Sequence, residues 1–244
     1  MKHYGLIGKS LKHSFSKDYF TDKFKKEGLN ANYSLCELDS ISNLDTIFAN
    51  NWQGLNVTIP YKEQIIPYLN EVDELATNIG AVNTIKFSQK KGKIELKGYN
   101  TDVIGFEQTL RPLLKSHHTQ ALVLGTGGAS KAVTYVLNKL NISYSFVSRK
   151  AGINKLAYDE LNDEIITTHT LIINTTPLGM FPDIEGYPDI PYNAIGKRHL
   201  LYDLVYNPNK TLFLLKGEQR GAIIKNGLDM LVTQAEESYK IWNY

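Results

Sequence analysis

The segment Gly125-Thr126-Gly127-Gly128-Ala129-Ser130 constrains this chain more than any other. It follows the apolar run Ala121-Leu122-Val123-Leu124, which reads as a buried strand. It precedes Lys131-Ala132-Val133-Thr134-Tyr135-Val136-Leu137, where apolar residues recur at helical spacing. Strand, glycine turn and helix, in that order, give a G-x-G-x-x-G/A pattern its meaning as a dinucleotide site. Gly125 allows the tight turn and Gly127 lets the backbone approach a pyrophosphate. Ser130 takes the third glycine position and is small enough for close helix–strand packing. The free N–H groups and the dipole at the helix start then face the phosphates. The competing reading is a purely structural turn.

The segments around this turn suit one architecture. Tyr144–Val147, Leu171–Asn174, Leu200–Val205 and Ala222–Ile224 are apolar enough for a parallel sheet covered on both faces. Before the turn, strands and helices alternate. Tyr4–Gly8, Ala31–Leu38 and Gly54–Thr58 read as strands, the last stopped by Pro60; Ser16–Lys26 and Leu44–Asn50 read as helices. A helix holding Ile65, Ile66, Tyr68 and Leu69 is broken around Pro67. Ala81–Ile85 and Lys93–Gly98 read as a hairpin joined by the polar Ser88-Gln89-Lys90-Lys91-Gly92. Val103–Leu114 reads as a connecting helix and Asp229–Tyr244 as a final one. The fold class is therefore α/β.

At 244 residues the chain fits one large domain or two small ones. A net charge of +2 is near balance and argues against a nucleic-acid or membrane surface as partner. Lys23, Lys25 and Lys26 read as a solvated helix face. The lone Cys36 cannot form an internal disulfide, reads as a small core residue, and fits a reducing compartment. Met1-Lys2-His3-Tyr4 lacks a signal-peptide apolar stretch, and no apolar run approaches the roughly 18 residues of a membrane span. The expected location is the cytoplasm.

Fewer residues carry chemistry by themselves. The strand after the glycine turn ends at Ser148-Arg149-Lys150, where NAD-binding folds place an acidic residue on the ribose 2′-OH. A guanidinium fork and an ammonium suit a 2′-phosphate instead, which points to NADP. Lys62 and Asp102 are of the right types for an acid–base pair on an alcohol oxygen, but their spacing says nothing about proximity. Ser14-Phe15-Ser16 offers two hydroxyls to a polar ligand and serves equally as a helix cap. Gly8-Lys9-Ser10 ends like a phosphate-binding P-loop, but His3 stands where its upstream glycine belongs, so it is set aside. His117-His118 has no third ligand nearby, so the pair reads as solvated and no metal is expected.

Taken together, Tyr4–Gly8 with Ser14-Phe15-Ser16, the run Asn56-Val57-Thr58-Ile59-Pro60-Tyr61-Lys62-Glu63, Gly80–Thr84 and Gly98–Gly105 form an ordered series of blocks. The series continues with the glycine turn, Asn174–Met180, Tyr202–Tyr206 and Asn226–Ala235. Over nearly the whole chain these blocks resemble the shikimate dehydrogenase family. The resemblance implies an N-terminal substrate-binding α/β domain (1–102), a Rossmann-like NADP-binding domain (103–227) and a final helix (228–244) packing back on the first. The family's active site lies in the cleft between the domains.

The resemblance also implies roles. Ser14, Ser16, Asn56, Thr58, Asn83, Asp102, Tyr206 and Gln234 would surround shikimate. Lys62 would be the acid–base residue with Asp102 beside it. Gly125, Thr126, Gly127, Gly128, Ala129, Ser130, Ser148, Arg149, Lys150, Thr175, Leu204 and Gly227 would line NADP. Ser148-Arg149-Lys150 departs from the family's frequent Asn-Arg-Thr but keeps the arginine, and Leu204 stands where methionine is common. The implied activity is reversible reduction of 3-dehydroshikimate to shikimate by a monomer or homodimer acting on a small molecule. Two other readings stay open: a quinate/shikimate dehydrogenase using NAD, and a non-catalytic binding protein on the same scaffold.

Overall fold

A computed structural model describes residues 1–11, 14–48, 50–90 and 92–244. Ala49, in the second expected helix, and Lys91, in the expected hairpin loop, lie outside the described residues. The chain divides into two compact units, Met1–Thr101 with Gln234–Tyr244, and Asp102–Thr233.

The first unit is built on a mixed six-stranded sheet. Its elements are β1 (Lys2–Gly8), α1 (Phe15–Lys26), β2 (Ala31–Glu37), α2 (Leu44–Phe48), β3 (Gly54–Val57), β4 (Glu71–Val72), α3 (Glu74–Ile79), β5 (Thr84–Lys90) and β6 (Lys93–Tyr99). The strand order is β2-β1-β3-β5-β6-β4. β1 runs parallel to β2 and β3, β5 runs antiparallel to β3 and β6, and β4 is parallel to β6. Successive side chains of a strand point to opposite faces. Thus Tyr4 and Leu6 of β1 join Phe20, Phe24, Tyr33, Ala235 and Trp242. Ile7 joins Leu44, Leu55, Val57, Ile65, Val82 and Ile85 in a second core.

The second unit holds α4 (Asp102–Leu110), β7 (Gln120–Leu124), α5 (Gly128–Lys139), β8 (Ser143–Ser148), β9 (Lys155–Ala157), α6 (Asp163–Thr168), β10 (Leu171–Asn174), β11 (Leu200–Asp203), α7 (Leu212–Gln219) and β12 (Ile223–Lys225). The last helix, α8 (Leu228–Asn243), contributes its residues from Gln234 onward to the first unit. The second sheet is all parallel, in the order β12-β11-β10-β7-β8-β9. Val123 and Ile173 are as fully buried as Leu122 and Ile172, so both faces of this sheet are covered, as the apolar runs require.

Several expectations need correction. The helix expected around Ile65–Leu69 is a single 3-10 turn, Ile66–Tyr68, with Pro67 inside it. Proline offers no N–H to continue the ladder. The same physics shortens the connecting helix: α4 stops at Leu110 and a 3-10 turn holds Arg111–Leu113, with Pro112 at its start. The polar residues Ser88, Gln89 and Lys90 are strand rather than loop, paired with Glu95, Ile94 and Lys93. His118 is buried rather than solvated: its Nδ1 accepts from the Lys115 N–H at 3.0 Å and its Nε2 meets the Arg198 carbonyl at 3.1 Å. Burial holds this ring below the usual histidine range. Cys36 packs against the second of the first unit's cores, with Ile7, Leu44 and Leu55, and burial pushes its thiol up to about 11, which keeps it protonated.

Candidate active site

In the second unit, β7 and β10 are neighbours from which the chain proceeds in opposite directions across the sheet. Such a reversal opens a crevice at the carboxyl ends of the two strands, where open α/β sheets bind ligands. The glycine turn sits there. Gly125 adopts φ +103°, and a Cβ on it would lie 2.8 Å from Thr175 Oγ1 and 2.9 Å from Thr176 Cγ2, so no other residue fits. Thr175 spans the two strand ends: its N–H and its hydroxyl both donate to the Leu124 carbonyl, at 2.9 and 2.7 Å.

Gly127 caps α5, and a Cβ on Gly127 or Gly128 would meet nothing within 4 Å. The backbone N–H groups at this helix start are thus open to a diphosphate. Ser130 is buried and turns inward, its hydroxyl donating to the Gly127 carbonyl at 2.7 Å. Thr126 is exposed on the turn and Ala129 half-buried behind it. β8 ends beside the turn at Ser148, whose hydroxyl donates to the Lys150 carbonyl at 2.8 Å, while Arg149 and Lys150 are exposed.

Behind the crevice lies a polar cluster that the sequence reading missed. The Asp203 carboxylate, fully buried at the end of β11, accepts from Asn174 Nδ2 (3.0 Å), the Val205 N–H (3.0 Å) and Thr211 Oγ1 (2.5 Å). Asn174 Oδ1 in turn accepts from the Thr176 N–H and hydroxyl. Burial pushes the Asp203 carboxyl up to about 6, against the three hydrogen bonds that favour its ionised form. This cluster fixes the loops after β10 and β11, which carry Thr175, Leu204 and Tyr206.

In the first unit, Ser14 stands at the start of α1 without making a cap hydrogen bond. Its Oγ is buried and has no hydrogen-bond partner among the described residues. A buried hydroxyl is normally paired, which makes this one a candidate donor to a ligand. Ser16 hydrogen-bonds Tyr33, whose hydroxyl donates to Asn56 Oδ1 at 2.8 Å. Asn56 commits its amide to the interior, with Nδ2 donating to Ser238 Oγ (2.9 Å), the Asn83 carbonyl (3.2 Å) and Thr84 Oγ1 (3.2 Å). Asn83 Nδ2 donates to Gln234 Oε1 and to Thr101 Oγ1, both at 3.0 Å. Ser16, Asn56, Asn83 and Gln234, from four separate segments, therefore belong to one hydrogen-bonded set.

Thr58 and Lys62 are half-buried in the turns that follow β3. The Lys62 carbonyl accepts from the Val82 N–H at 2.7 Å, which ties this turn to the segment leading to Asn83. Asp102 is buried at the first position of α4 and belongs to the second unit, as do half-buried Tyr206 and Leu204. Among the described residues, no group of three or more His, Cys, Asp or Glu could hold a metal ion. None of their helices is long and apolar enough to cross a membrane.

A parallel sheet that reverses its strand order at an open glycine turn defines a dinucleotide-binding α/β unit, here in one chain with a second, mixed α/β unit. Residues 6–85 match the family model described as the shikimate dehydrogenase substrate binding domain. A shikimate dehydrogenase (NADP(+)) of Halothermothrix orenii is 38% identical over 262 residues, covering 98% of this chain and 89% of that relative. A chorismate mutase/shikimate 5-dehydrogenase fusion protein from Clostridium acetobutylicum is similar in structure, with a TM-score of 0.86 at 36% identity over 100% of this chain and 91% of that one. A shikimate dehydrogenase crystallised in complex with NADP+ also gives a TM-score of 0.86, at 32% identity over 99% of this chain and 90% of that one. The chain belongs to the shikimate dehydrogenase family.

Proposed function

We propose that this chain is an NADP-dependent oxidoreductase that reversibly reduces 3-dehydroshikimate to shikimate, a step toward chorismate and the aromatic amino acids. The near end-to-end similarity to shikimate dehydrogenases carries this reading. The open space outside Gly127 and Gly128 at the helix start fits a diphosphate, and the Arg149-Lys150 pair at the end of β8 fits a 2′-phosphate. Gly125 to Ser130, Ser148, Arg149, Lys150, Thr175, Leu204 and Gly227 hold the cofactor. The bound cofactor supplies the hydride.

The first unit acts as the substrate domain. The buried Ser14 hydroxyl, which has no partner among the described residues, donates to the substrate carboxylate, with Ser16 beside it. Thr58, Asn83, Asp102, Tyr206 and Gln234 hydrogen-bond the ring hydroxyls, and Asn56 supports this set from the interior. Lys62 Nζ, as an ammonium, stabilises negative charge developing on the substrate oxygen and delivers its proton there. Asp102 orients that ammonium and binds a hydroxyl. The protein works in the cytoplasm as a monomer or homodimer, without a nucleic-acid partner.

Steady-state rates of the purified chain with shikimate or quinate, each with NADP or NAD, test this reading. The shikimate–NADP pair is expected to lead by at least tenfold in kcat/KM, about 1.4 kcal/mol of discrimination. A lead for quinate with NAD would replace it, and ligand binding without turnover would make the chain a binding protein.

A further inference from the structure

The final helix meets the first sheet through a buried serine that no catalytic role requires. Ser238 is fully buried, one turn beyond Gln234, and its hydroxyl oxygen lies 2.9 Å from the Gln234 carbonyl. The same oxygen accepts from Asn56 Nδ2 of β3 at 2.9 Å. It lies 2.7 Å from Thr84 Oγ1 at the start of β5 and 3.2 Å from Thr101 Oγ1. Thr84, also fully buried, donates to Asn83 Oδ1 at 3.1 Å.

The polarity of this set follows from groups that cannot change role. The Thr101 backbone N–H is only a donor, and it meets Asn83 Oδ1 at 2.8 Å. The other end of the Asn83 amide is therefore Nδ2, and what it meets on Gln234 must be Oε1. Gln234 is left with its Nε2 donor directed away from Asn83. Buried polar networks whose members are satisfied hold one arrangement, and each missing member loosens it.

We propose that Ser238 and Thr84 are positioning residues: Ser238 holds the Thr84 hydroxyl, Thr84 holds Asn83 Oδ1, and Asn83 Nδ2 in turn holds the Gln234 side chain, so the two buried hydroxyls keep both amides in the orientation that binds the substrate hydroxyls. This rests on the function proposed above. Both are fully buried, and neither is among the residues assigned to substrate or cofactor. Their effect passes to substrate affinity through Asn83 and Gln234, and the cofactor is untouched.

Ser238→Ala, Thr84→Val and Thr84→Ser separate positioning from stability. Valine keeps the shape of threonine without its hydroxyl, and serine keeps the hydroxyl without the methyl. Ser238→Ala and Thr84→Val are expected to raise KM for shikimate about fivefold to tenfold, the worth of one hydrogen bond. KM for NADP should stay at the wild-type value, and kcat should change less than KM for shikimate. Thr84→Ser should restore KM for shikimate. A lowered Tm with unmoved KM for shikimate in both Ser238→Ala and Thr84→Val would overturn the inference, as would a Thr84→Ser enzyme as impaired as Thr84→Val. Wild-type protein assayed alongside separates the two claims. Its failure to turn over shikimate overturns the function and this inference with it, whereas normal wild-type turnover with unmoved variants overturns the inference alone.

Discussion

Gly227 lies against Leu204 so closely that a Cβ on the glycine would sit 2.1 Å from the Leu204 carbonyl oxygen. The Gly227 N–H meanwhile donates to the Val205 carbonyl at 3.1 Å, holding the start of α8 on the loop after β11. Gly227→Ala must displace backbone at both segments. It is expected to lower Tm by several degrees and NADPH affinity by about tenfold or more. Gly127→Ala makes the contrast. Its Cβ meets no protein atom within 4 Å, and replacing a glycine N-cap by alanine costs less than about 1 kcal/mol. Its Tm should stay close to wild type while NADPH affinity falls, because the methyl enters the space the phosphates need. Isothermal titration and thermal melts of both variants read this out. Unchanged NADPH affinity in Gly127→Ala would remove the glycine turn from cofactor binding.

Arg149→Ala is expected to weaken NADPH binding by roughly tenfold to a hundredfold, the worth of a charge-assisted phosphate contact. NADH binding should hardly change. The motive is an exposed basic pair where β8 ends, with no carboxylate in Ser148-Arg149-Lys150. Parallel losses for the two cofactors would mean that the arginine supports the turn rather than reading the 2′-phosphate.

Asp203→Asn tests the buried cluster behind the crevice. In the fold its carboxyl is raised from 3.8 to about 6. A raised group contributes stability that is fully present below the unfolded value of 3.8 and is lost as pH rises through about 6. The asparagine variant has no such loss. Its stability relative to wild type should therefore grow across that window, by up to about 3 kcal/mol. His118 titrates in both proteins and cancels in the difference. Urea melts at a series of pH values measure it, and a difference that does not vary with pH would mean that Asp203 is not held up by burial.

Most of the framework could be read from local pattern. Leu171–Asn174 is β10 to the residue, because a short apolar run with polar neighbours has one way to be buried. The glycine turn was legible because its chemistry is contained within six consecutive residues and its flanks. Short amphipathic pieces were not. The helices α3, α6 and α7 and the three-residue strand β9 carry too few residues for their period to emerge. Asp203 lay inside an apolar strand with nothing local to mark its partners Asn174 and Thr211. Ser238 looked like any small polar residue of an amphipathic helix; its importance comes from Asn56 and Thr84, which only the tertiary fold brings to it.

This chain is expected to move a hydride between NADPH and 3-dehydroshikimate, with Lys62 serving the substrate oxygen. NADPH oxidation followed on addition of 3-dehydroshikimate, in wild type and Lys62→Ala, measures it directly. Rapid, substrate-dependent loss of NADPH is expected in the wild type. In the variant kcat should fall about 10²–10⁴-fold with a much smaller change in KM, because a positioned acid–base group acts mainly in the transition state. No oxidation by the wild type would contradict the assigned reaction, and a Lys62→Ala enzyme of near-normal kcat would contradict the assigned role.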